Sequence, residues 1–144
     1  MGLNFCVYGC EAEAFDPYEL AACAVGLNSD FEYFREMINK NLDAKDYPTL
    51  MQHADWDDEW SLDEVEKVES ELTAIAEKFK QLPAHEPTNA FEYAVEYRVG
   101  ATSLYDCFHV VSGENLFEAL LNLCSIARKY HQPITLQSTT DYGP

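Results

Sequence analysis

The chain has 144 residues, 47% of them hydrophobic, and sets 26 acids against 9 lysines and arginines for a formal net charge of −17. One domain of this length buries about 70% of the surface its unfolded form exposes, so a single compact domain over 1–144 is expected. The carboxylate excess excludes nucleic acid and anionic membranes as natural partners, because phosphates would be repelled; it favours a basic protein partner, although acidity also serves solubility and charge alone does not separate the two.

Leu3, Phe5 and Val7 alternate with Asn4, Cys6 and Tyr8, which predicts a half-buried strand near 3–9. A second apolar run, 20–26, follows an acidic loop containing Asp16-Pro17 and makes a hairpin with the first. Ser29 and Glu32 have the spacing of a capping box, and Phe31, Phe34, Ile38 and Leu42 recur at helical intervals behind it, predicting a helix over 30–42. Tyr47-Pro48 restarts the chain in one or two turns. A second capping box, Ser61 with Glu64, opens a helix over 61–82 whose apolar face is Val65, Val68, Leu72, Ile75, Phe79 and Leu82. Residues 83–89 form a loop, and 91–99 fit a strand slightly better than a helix. A further strand is expected over 105–111, turning at Ser112-Gly113, before a helix over 115–131 that is apolar around most of its circumference. Pro133 ends that helix and 134–138 form the last strand. The pattern is α+β: a mostly antiparallel sheet of about four or five strands covered by three main helices. Leu3, Phe5, Phe34, Ile38, Leu72, Ile75, Leu120 and Cys124 are the expected core.

Five cysteines, 6, 10, 23, 107 and 124, form an odd set without a Cys-x-x-Cys pair, and three lie in apolar runs, so free thiols in a reducing cytoplasm are expected. No secretory signal opens the chain, and no apolar run approaches the ~20 residues that span a bilayer.

The densest feature is the run from Asp55 to Glu64, where Trp56 and Trp60 stand among six carboxylates; from Asp55 to Glu71 nine acids face one base, Lys67. Acids in the first turns of a helix complement its dipole, which accounts for part of the charge, yet Asp55, Asp57 and Asp58 precede the helix. Asp55, Asp57, Glu59, Ser61, Asp63 and Glu66 occupy positions 1, 3, 5, 7, 9 and 12 of a calcium-loop pattern, but Trp60 stands where the sharp turn wants glycine. Trp60 suits the core; Trp56 suits core and binding anchor equally. Cys107 and His109 would share a strand face, and a buried pair is the simpler account. A Cys-His nucleophile needs an orienting group and an oxyanion site that nothing here supplies, and no phosphate-cradling loop is visible. No catalytic residue, metal ligand or cofactor is therefore assigned.

Gly2-Leu3-x-Phe5-x-Val7, Asp30-Phe31-x-x-Phe34, Tyr47-Pro48-Thr49-Leu50-Met51, Glu71-Leu72-x-x-Ile75, Ser103-Leu104-Tyr105 and Phe108-x-Val110-x-Ser112-Gly113-Glu114-x-Leu116-Phe117-Glu118 occur in that order. In these motifs the chain resembles the immunity protein 70 family of bacterial polymorphic toxin systems, over nearly its whole length. The resemblance implies a small α+β protein that neutralises a co-produced toxin by tight binding, and it supplies no catalytic residues. The expected function is a cytoplasmic immunity protein that blocks a basic toxin domain, a nuclease being one candidate, with Asp55, Trp56, Asp57, Asp58, Glu59 and Asp63 contacting it. The alternatives are a small metal-dependent enzyme or calcium-responsive protein using the acids from Asp55 to Glu66, and a housekeeping interaction module.

Overall fold

The computed structural model describes residues 2–9, 18–52, 58–84 and 102–139. Strands β1 (Gly2–Gly9) and β2 (Tyr18–Leu27) lead into helix α1 (Asn28–Asn41); a 3₁₀ turn at Ala44–Asp46 precedes the short α2 (Pro48–Gln52). Strand β3 (Asp58–Trp60) runs directly into α3 (Leu62–Phe79), and after a 3₁₀ turn at Leu104–Cys107 come α4 (Leu116–Tyr130) and β4 (Ile134–Thr139). The four strands make one antiparallel sheet in the order β2-β1-β4-β3. This is the α+β architecture expected from the sequence, with α1 and α4 laid on the sheet and α3 packed against α4 and α2.

Period-two alternation decides which face of the sheet is buried. Leu3, Phe5 and Val7 point into the core, opposite Cys23 on β2 and Leu136 on β4. All eight expected core residues are buried, at 2% exposure or less. The centre is aromatic: Phe34 of α1 lies 5.1 Å from Phe108, 5.4 Å from Phe117 and 6.3 Å from Phe79, in edge-to-face contacts favoured by the ring quadrupole.

Two expectations change. The stretch 105–111 is not a strand: Leu104–Cys107 is a 3₁₀ turn, and His109 makes only an isolated bridge with Asn115. The Thr102 and Ser103 hydroxyls each donate to the Asp106 carboxylate at 3.2 Å, which favours a local turn over a ladder. The fourth strand is instead β3, in the acidic segment. Helix α1 starts at Asn28, two residues earlier than expected, and the Glu32 carboxylate accepts from Arg35 at 2.9 Å. The expected strand at 91–99 lies outside the described residues.

Candidate protein-interaction surface

Four residues set the geometry where β3 meets α3. Trp60 is fully buried and stacks on Phe5 at 5.1 Å, anchoring the end of β3 to the sheet. Alternation then turns Glu59 outward, and it is exposed. Ser61 has extended backbone angles (φ −61°, ψ 169°) and caps α3: its hydroxyl accepts from Glu64 N–H at 3.3 Å, while the Glu64 carboxylate accepts from Ser61 N–H at 3.2 Å. The expected capping box is therefore present. The first turn of α3 consequently presents Leu62, 40% exposed, beside exposed Asp63 and Glu66. A shallow depression follows, lined by Asp63, Glu66, Lys67, Ser70 and Glu71.

Of the six residues expected to contact a partner, Glu59 and Asp63 share this surface. Asp58 sits in β3 opposite Leu136, while Asp55, Trp56 and Asp57 lie outside the described residues. The calcium-loop spacing meets an obstacle in the backbone, because Asp58–Trp60 is an extended strand with Trp60 buried, where the pattern requires a sharp turn.

The surface is braced from behind by contacts that the sequence does not advertise. The Glu71 carboxylate accepts from the backbone N–H groups of Leu50 (2.9 Å) and Thr49 (3.3 Å), satisfying the start of α2. At the other end of α2, Arg35 donates to the carbonyls of Leu50 (3.0 Å) and Met51 (2.9 Å). Arg35 is only 9% exposed and lies over the Phe31 ring. The short helix leading toward the acidic segment is thus held between a carboxylate and a guanidinium. Five residues are too few to be helical alone, so these bonds and the burial of Leu50 must supply what propagation cannot. Glu71→Ala should cost about 1–3 kcal/mol, because it leaves two backbone donors without their charged acceptor. Chemical denaturation measures the loss, and Lys67→Ala on the same helix should change stability by less than about 0.5 kcal/mol.

The buried thiols of β2 and α4 are shifted away from the thiolate form. Burial first, and then the nearby Glu114 and Cys6, push the Cys23 thiol up to about 12; burial and then Glu69 bring Cys124 to about 12 as well. Reactive thiols need the opposite shift. Cys107 donates weakly to the Ser103 carbonyl at 3.5 Å inside its 3₁₀ turn. Among the described residues no group of three or more His, Cys, Asp or Glu is placed to hold a metal ion, and no helix is long and apolar enough to cross a membrane.

The model of the family named Immunity protein 70 matches residues 12–136. The chain belongs to that family. No curated protein and no solved structure matches it. In this member of the Immunity protein 70 family the motifs that carry the sequence resemblance have structural employment. Glu71 and the Thr49-Leu50 backbone are bonded to one another. The 108–118 stretch folds back on itself: Val110 N–H donates to the Glu114 carbonyl, Gly113 turns at φ 96°, and Leu116 N–H donates to the Phe108 carbonyl. Asn115 then caps α4, accepting from Phe117 N–H at 2.9 Å while its own amide donates to the Tyr105 carbonyl at 3.0 Å. A glycine is needed at 113, where other residues would pay for positive φ.

Proposed function

We propose that this chain is a cytoplasmic immunity protein that binds a cognate toxin domain, basic in charge, and blocks its active site without chemistry of its own. The observation that carries the reading is membership of the Immunity protein 70 family. The exposed acids at the β3–α3 junction, Glu59, Asp63 and Glu66, support a cationic partner. In the proposed interface they act with Asp55, Trp56, Asp57 and Asp58. Nuclease grooves are basic because they hold phosphates, so a nuclease domain is the toxin whose active site this surface would suit. Complementary charge would speed encounter, and an apolar anchor such as Leu62, ringed by acids, would slow release.

The test is survival. Cells expressing the toxin domain encoded beside this chain's gene should grow only when the chain is co-expressed, and the purified toxin should lose all activity at equimolar chain. Undiminished killing in the presence of folded chain would refute the proposal. Complete inactivation by a small fraction of an equivalent would instead indicate an enzyme.

A further inference from the structure

Among the described residues β2 is an outer strand of the sheet, met on its outer side by one backbone bond at Ala24. β2 spans Tyr18–Leu27 and borders the sheet, with β1 on its inner side. Proteins usually protect such an edge with lysines, prolines or bulges, since its free N–H and C=O groups are a template for another strand. Between Tyr18 and Leu27 there is no Lys, Arg or Pro. Register irregularities flank the middle of the strand, but Ala21, Ala22, Cys23 and Ala24 pair regularly with Val7, Cys6, Phe5 and Asn4.

The outward backbone groups can be assigned. Ala24 accepts from Val111 N–H at 3.0 Å, so its groups point away from β1. In an antiparallel ladder this direction alternates residue by residue, and Ala22, two positions earlier in the regular stretch, turns its N–H and C=O the same way. Val111 is the sole backbone donor from outside the sheet that reaches β2 among the described residues. Beside this edge lies a groove of about 400 Å³ whose lining includes Ala21, Ala22, Ala24, Val111, Glu114 and Asn122. The alanines leave room for the side chains of an added strand. Glu114, exposed on the wall, offers a carboxylate to a cation.

We infer that the β2 edge around Ala22 receives an extended, basic segment of the toxin domain by strand addition, with Glu114 meeting one of its lysines or arginines. This inference rests on the immunity reading and adds a second contact to it. Charge decides between the possible occupants: a second copy would bring another −17 and an edge equally devoid of cations, whereas a basic strand is complementary. Main-chain hydrogen bonds would supply affinity and the groove would supply side-chain selection, as in other strand-addition complexes.

The test follows amide exchange of the wild-type chain, free and bound to the toxin domain, together with the variant Ala22→Pro. Proline at 22 deletes the outward N–H while leaving the bonds to β1 in place. In the complex, exchange at Ala22 should slow at least about tenfold, and Ala22→Pro, with an unchanged melting temperature, should bind about tenfold more weakly. Unslowed exchange at Ala22 in a formed complex overturns the inference even if the proline variant fails to fold, and leaves the immunity reading standing. Wild-type dimerisation that Ala22→Pro abolishes would assign the edge to a second copy and overturn it too. A wild-type chain that forms no complex overturns both readings before any variant is made.

Discussion

Phe34→Ala should destabilise the protein by about 3–5 kcal/mol, the largest loss expected of any single truncation here. The ring is fully buried and touches the Phe31, Phe79, Phe108 and Phe117 rings, so its removal opens a cavity among side chains contributed by α1, α3, α4 and the turn before α4. Those rings cannot collapse together without leaving their own rotamers, and the edge-to-face contacts are lost along with the transfer energy. Small domains have only about 5–15 kcal/mol in total, so a large share of the native population should be lost near physiological temperature. Urea denaturation monitored by circular dichroism checks the value. Phe34→Leu, which keeps most of the volume, should cost under about half as much. A loss below 1 kcal/mol in Phe34→Ala would mean that the aromatic centre is not the stabilising core.

How much of this was legible in the sequence depended on the range of the interaction. The Ser61–Glu64 capping box spans three residues and was readable directly, as were the 3.6-residue periodicities that placed α1, α3 and α4 within a few residues of their observed ends. Trp60 was expected in the core, and the stacking on Phe5 gives it that role. The strand at 58–60 was not readable. Asp and Glu have low strand propensity, and β3 exists because Trp60 is pulled inward and Glu59 pairs opposite Thr135, a partner far along the chain. The 3₁₀ turn at Leu104–Cys107 was misread as strand because apolar alternation looks the same until the Ser103 and Asp106 side chains are paired in space. The clamp on α2 joins residues 15 to 22 positions apart, and no local signal announces that Arg35 is buried or that Glu71 serves a backbone rather than a partner. Density of charge singled out a stretch in which Glu59 and Asp63 are exposed, and it could not say which carboxylates elsewhere on the helix were already bonded to backbone.

Reversal of Glu59 and Asp63, two of the exposed acids at the β3–α3 junction, should slow capture of the toxin by about ten- to a hundredfold at low salt. Glu59→Lys combined with Asp63→Lys changes the local charge by four units, and both side chains are exposed, so neither substitution disturbs the core. Lysine in the first turn of α3 opposes the helix dipole, at a cost of about 0.3–1 kcal/mol, which the fold should tolerate. Exposed charges act on encounter more than on residence, so the dissociation rate should change far less than the association rate. Screening supplies the internal control: at about 1 M salt the Debye length falls to about 3 Å, and wild type and variant should then associate at similar rates. The deciding measurement is therefore the stopped-flow association rate of the chain with the toxin domain, wild type against Glu59→Lys/Asp63→Lys, across ionic strength. The expected result is a steep decline with salt for the wild type and a flat, slower line for the variant, the two meeting at high salt. Superimposable curves at every ionic strength would contradict the account and remove the β3–α3 junction from the interface.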